Sequence, residues 1–155
     1  MLRVKKILAP TDFSELSKLG IRYALDMARD TRAEVIIYHV IDLGEEWRGM
    51  HSQLRTYHDM VEEGRQLLDK FISDNFPDRA DSVEVRLLVE FGGSFTNIVD
   101  LAEKEHVDVI VMSTHGRTGL DHMMVGSVTE KVIARASCPV LVLPGHRRRA
   151  LSSAA

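Results

Sequence analysis

The chain has 155 residues, 45% of them hydrophobic and 28% charged, with a net charge of −3, which suits one domain around a single core and argues against bulk affinity for nucleic acid. No apolar run approaches the roughly eighteen residues of a membrane span, and the start Met1-Leu2-Arg3-Val4-Lys5-Lys6 lacks the apolar stretch of a signal peptide. A single cysteine, Cys138, cannot form an internal disulfide, so a reducing, cytoplasmic setting is the expectation.

Val4 to Ala9 is an apolar run that stops at Pro10, which forces its neighbour out of helical geometry, so it is expected to be the first strand. Thr11-Asp12-Phe13-Ser14 offers several caps for a helix in which Leu16, Leu19, Tyr23 and Met27 recur at helical spacing. Asp12 has two readings, a local turn or helix cap and a residue facing whatever the sheet binds, and they are not exclusive. Ala33 to Ile41 is too continuously apolar for a one-sided sheet, so helices should cover both faces. Asp42 to about Gln53 loses all periodicity, with the lone Trp47 either packed beneath its own loop or placed at an interface.

Helical spacing returns with Leu54, His58, Val61, Leu68 and Ile72, interrupted by Gly64. His51 and His58 without a third ligand make a poor metal site. Val83 to Phe91 alternates more than the other strands, as a sheet edge does. Gly92-Gly93-Ser94 then turns into a helix with Ser94 as its expected N-cap and Phe95, Ile98, Val99 and Ala102 buried.

The stretch from Val107 to Pro144 carries the chemistry. A β-branched strand ending at Met112 leads into a loop with Gly116, Gly119 and Gly126, where the backbone can approach a ligand without a Cβ in the way. A helix over 127–136 follows, with a capping box Ser127-x-x-Glu130 and Val128, Val132, Ile133 and Ala136 on one face. Strand, glycine loop and helix N-terminus together make an anion site, because unpaired N–H groups and the positive dipole end converge. His115 either acts on a phosphate or packs and donates one hydrogen bond; the Ser127 and Thr129 hydroxyls either meet phosphate or a metal ion it carries, or Ser127 merely caps the helix. Val140 to Leu143 is the last strand, and His146-Arg147-Arg148-Arg149 begins a basic tail over 146–155, expected to be disordered. Five strands alternate with four helices, which implies a parallel sheet with right-handed crossovers and a ligand crevice where the winding reverses. The chain lacks G-x-x-x-x-G-K-[ST], G-x-S-x-G, H-E-x-x-H and C-x-x-C.

Ser113-Thr114-His115-Gly116, nine residues, then Gly126-Ser127 resembles the G-x2-G-x9-G-[S/T] signature of the universal stress protein family, with Ser113 in place of the first glycine. Lys6 to Ser14 and Cys138-Pro139-Val140-Leu141-Val142 are similar to that family's first and last strands. The resemblance, over about Val4 to Pro144, implies a Rossmann-like α/β domain over 1–145 with strand order 3-2-1-4-5. It further implies an ATP-binding stress-response module, with AMP or ADP as related ligands. Pro10, Thr11 and Asp12 would then flank the crevice, with adenine against Asp12 and the Val40 backbone and ribose near Met112 and Ser113. Phosphates would rest on Gly116, Gly126, Ser127, Val128 and Thr129, with His115 and Arg117 also among the nucleotide-binding residues. Mg2+ or Mn2+ would be held through the phosphates near Ser127 and Thr129, without a protein-only metal site. Two alternatives stand beside this: a stress protein that binds no nucleotide and acts through its dimer surface, and a slow ATPase with Arg117 as its one candidate finger. The apolar final strand, Val140 to Leu143, is the expected homodimer contact.

Overall fold

A computed structural model describes residues 3–44, 57–80, 82–114 and 125–145. The expectations about Trp47, His51, Leu54, Gly119 and the basic tail lie outside them. The elements run β1 (Lys6–Pro10), α1 (Glu15–Thr31), β2 (Glu34–Ile41), α2 (Tyr57–Asn75), β3 (Val85–Phe91), α3 (Ser94–Lys104), β4 (Val109–Ser113), α4 (Ser127–Arg135) and β5 (Val140–Leu143), with a 3-10 turn at Pro77–Ala80. The five strands form one parallel sheet in the order β3-β2-β1-β4-β5, as expected.

Alternation along each strand feeds two cores. Ile7, Ala9, Val35, Ile37 and Val111 face one side, with Ile21, Ala24 and Ala28 of α1 and Leu68 and Ile72 of α2. Leu8, Ile36, Tyr38, Ile110 and Met112 face the other, with Ile98 and Leu101 of α3 and Val132 of α4. The central strands are therefore apolar on both faces along their middle, over Ile7–Ala9, Val35–Tyr38 and Val109–Met112. β3, an edge strand, buries only Val89 fully.

Three helix faces differ from expectation. In α1 the buried residues are Ser17, Gly20, Ile21, Ala24, Leu25 and Ala28, whereas Leu19 and Tyr23 are 39% and 45% exposed. The small residues decide this, because a Cβ on Gly20 would lie only 3.4 Å from the Met112 Cα; they let the helix lie almost on the backbone of β4. In α4, Ile133 is exposed and Thr129 and Val132 are buried. Gly64 is no blemish in α2: a Cβ there would come within 2.9 Å of the Val89 Cγ1 and 3.1 Å of the Ile41 Cδ1. Close approach to the sheet outweighs the helix propensity of about 1 kcal/mol lost relative to alanine.

The amino end of the sheet is tied by charge. Asp108 Oδ2 accepts from the backbone N–H groups of Lys5 and Lys6 at 2.8 and 2.9 Å. Arg86 donates to Glu105 through both terminal nitrogens, at 3.2 and 2.7 Å, and through Nε to Glu34 at 2.9 Å, while Lys6 Nζ reaches Glu105 at 3.1 Å. The fork-on-fork contact with Arg86, then Lys6, pulls the Glu105 carboxyl from 4.5 down to about 2. A carboxyl with a depressed folded pKa stabilises fully above its unfolded value and loses that contribution as pH falls through the folded one. Glu105→Gln is therefore expected to lower the urea midpoint above pH 4.5 and to converge with the native protein near pH 2, measured by urea titration across that range.

Candidate functional site

The carboxyl end of the sheet opens where the amino end closes. Along β1, carbonyls alternate between neighbours: Lys5 O accepts from Glu34 on the β2 side, and Lys6 O from Asp108 on the β4 side. The same alternation sends the Thr11 N–H to Tyr38 O at 2.8 Å and leaves the Pro10 nitrogen facing β4. Proline has no N–H to give. The β1–β4 pairing accordingly consists of Ile7 with Val109 and Leu8 with Ile110, while β4 continues along β5 until Thr114 N meets Leu143 O at 3.0 Å. A crevice of about 500 Å³ stands between the two lips, within the ~300–1,000 Å³ typical of small-molecule sites.

Ten of the residues singled out in the sequence line this crevice. Pro10, Thr11 and Asp12 form one lip and Met112 and Ser113 the other; Val40 stands behind, and Gly126, Ser127, Val128 and Thr129 bring in the start of α4. His115, Gly116 and Arg117 lie outside the described residues. Ser17, Tyr38, His39, Ile41, Asp42, Ser94 and Ile98 also line it, and none of these was singled out as a site residue. Alternation along β4 points the Ser113 carbonyl at β1, which has already ended. Thr129 Oγ1 donates to it at 3.0 Å, with Thr129 only 4% exposed. The hydroxyl thus docks the first turn of α4 onto the end of β4.

That docking sets how α4 begins. Its N-cap is Gly126, at φ −58° and with no side-chain cap bond, so the expected capping box is absent and Ser127 is the first helical residue. The Gly126 N–H donates to Thr114 O instead. Likewise Gly93, not Ser94, caps α3; Ser94 donates through its N–H (3.1 Å) and Oγ (3.2 Å) to Asp42 Oδ2. Both helices start with their N-termini at the crevice wall.

Asp12 closes a local turn and stands at the crevice. Its Oδ1 accepts from Ser14 N at 3.0 Å, while Ser14 is the cap of α1, accepting from Ser17 N at 3.2 Å. The turn is densely wired: Thr11 Oγ1 accepts from Phe13 N at 3.1 Å and lies 2.8 Å from Ser17 Oγ. Phe13 is left-handed, at φ 64°, which costs a non-glycine residue about 1–2 kcal/mol. Beneath, the buried Tyr38 hydroxyl donates to Glu90 Oε2 at 2.6 Å. Burial, and next that carboxylate, push the phenol above its ordinary value, so it stays protonated.

The universal stress protein family model matches residues 3–144. The chain belongs to the universal stress protein family. Two family members from Methanocaldococcus jannaschii are similar along almost the whole chain: MJ0531 is 35% identical, covering 90% of this chain and 81% of its own, and MJ0577 is 34% identical, covering 90% and 94%. The solved structure of MJ0577 superposes with a TM-score of 0.75 at 33% identity, over 92% of this chain and 97% of that one. Two other solved structures share the fold. One is a universal stress protein in complex with cAMP (TM-score 0.67, 18% identity, 94% and 100% covered). The other is the Archaeoglobus fulgidus protein in complex with dAMP (TM-score 0.59, 19% identity, 92% and 98% covered).

Thr129→Val is expected to lower unfolding stability by about 1–2 kcal/mol, the value of a buried hydrogen bond to a carbonyl left short of a donor. Urea denaturation measures it; an unchanged midpoint would mean that the contact with Ser113 does not hold α4 in place.

Proposed function

We propose that the crevice binds an adenine nucleotide, ATP foremost, and that its occupancy regulates the protein rather than feeding a turnover cycle. The observation that carries this reading is the split between β1 and β4, which sets an acceptor carboxylate, a strand backbone and a helix N-terminus around one space. Asp12 accepts from the adenine amino group. Glu34 N bonds Lys5 on the β1 side and Val35 N bonds Glu84 on the β3 side, so Val40, an even position like Glu34, points its N–H and carbonyl to the β1 side beyond the end of β1, where a base edge can pair with them. The ribose sits by Met112 and Ser113. The phosphates lie over Gly126, Ser127 and Val128 at the α4 N-terminus, with Mg2+ or Mn2+ arriving on the phosphates; the contacts that the resemblance implies for His115, Gly116 and Arg117 fall outside the described residues. Other family members have been solved in complex with cAMP and with dAMP, which supports an adenine ligand.

Protein purified without added nucleotide is expected to release ATP, ADP or AMP on denaturation. Gly126→Val should weaken ATP binding at least about tenfold in calorimetry at an unchanged melting temperature. Its φ of −58° suits valine, so any loss comes from side-chain bulk over the helix N-terminus and not from backbone strain. Equal affinities would refute the phosphate assignment.

The same reading includes a homodimer through β5. Among the described residues this strand pairs with β4 alone and carries no charge, and α1, which packs against it, leaves Leu19 and Tyr23 exposed. An uncharged apolar edge invites a second copy, most simply across a two-fold axis. Leu141 packs into the first core, so a charge there would disturb the fold as well. Val142 is half-buried and in neither core among the described residues, and Val142→Lys is expected to convert a dimer to a monomer in sedimentation at micromolar concentration. A native protein that sediments as a monomer would overturn the interface.

A further inference from the structure

His39 is the crevice residue whose contacts converge on the β1 lip. Its Nδ1 donates to Thr11 O at 2.8 Å, and its ring lies against that of Phe13, with centroids 4.2 Å apart. Phe13 is in turn buttressed by an edge contact with Phe71 of α2 at 5.3 Å. The Thr11 carbonyl belongs to the planar peptide that also carries the Asp12 N–H, so a donor on that carbonyl fixes the plane from which the Asp12 side chain departs.

The position of this bond in the ladder matters. Thr11 N already bonds Tyr38 O on β2. In a continued parallel ladder the Thr11 carbonyl would take its donor from Val40, two residues on. Instead an imidazole takes that place. A side chain of β2 has substituted for the next backbone amide of β2, at the point where the strands must stop pairing for a crevice to exist.

The geometry points to His39 as a positioning residue for base recognition: by occupying the Thr11 carbonyl it fixes the peptide plane from which Asp12 departs and so orients the Asp12 carboxylate. This rests on the nucleotide reading above. Its consequence is selective. His39 governs which base the crevice prefers and leaves the phosphate end alone, because Gly126 to Thr129 are held by separate contacts to Thr114 and Ser113.

The test uses ATP, GTP and inorganic tripolyphosphate, titrated by calorimetry into the native protein, His39→Phe and His39→Asn. Phenylalanine keeps the ring against Phe13 and removes the donor; asparagine keeps an N–H near the same place and removes the ring. His39→Phe is expected to lose about tenfold in ATP affinity, the effect of one well-placed hydrogen bond. Its preference for ATP over GTP should shrink while tripolyphosphate binding stays native, and His39→Asn should restore most of the preference. Asp12→Asn supplies the second arm. If His39 acts through Asp12, the double variant His39→Phe/Asp12→Asn loses no more base preference than Asp12→Asn alone. A folded His39→Phe with the native ATP to GTP ratio, or additive losses in the double variant, overturns the inference. Should His39→Phe fail to fold, a His39→Asn protein without base preference does the same. A native protein that binds no ATP overturns the nucleotide reading itself, and is distinguished by failing before any variant is compared.

Discussion

The missing amide at Pro10 is the constraint on which the site depends. A parallel sheet holds itself together by giving each strand's N–H and carbonyl groups alternately to its two neighbours, and Pro10 withdraws one donor from the β1 to β4 side at the last residue of β1. Pairing then ends and the lips separate. Carbonyls beyond the ladders must still find donors, and they find them in side chains: Thr129 for Ser113 on the β4 side of the split, and His39 for Thr11 on the β2 side, where β1 also ends. Those two substitutions bring α4 and the β1–α1 turn to their places.

The opposite end of the sheet follows a different logic. Asp108 clips the start of β1 to that of β4, and Arg86, Glu34, Lys6 and Glu105 link β3, β2, β1 and the turn after α3. Charge network and broken ladder thus stand at opposite ends of the same strands, one clasping the sheet and the other opening it.

Much of this was legible in the residues because strands announce themselves by β-branched runs and Pro10 by its chemistry. The element order and the edge character of β3 followed from alternation, and the strand order from the family resemblance. The meeting of Asp12 and Met112 at one crevice followed from the strand order, the place of Gly126 from the glycine loop before a helix, and that of Val40 from the resemblance. What escaped had weak one-dimensional signals. The buried face of α1 is built from Gly20, Ala24 and Ala28, which add little to a hydrophobic count yet decide how closely the helix lies. The capping box at Ser127 and the cap at Ser94 did not form because longer-range contacts, Thr129 to the end of β4 and Ser94 to Asp42, outweighed local ones. His39 and Tyr38 were hidden inside an apolar strand, where the ladder position of each residue becomes visible only once the partners' registers are known.

The β1–β4 seam is two residue pairs long, against seven between β2 and β3, and it is the shortest seam in the sheet. α1 crosses it as a splint, with Gly20 seated on Met112 and Ile21 and Ala24 in the core shared with β1. One side of the seam is thus braced by a helix and the other faces the crevice. A small molecule touching Asp12 on one lip and Ser113 on the other would act as a removable strut on the unbraced side, so filling the crevice stiffens the whole sheet against shear between its two halves.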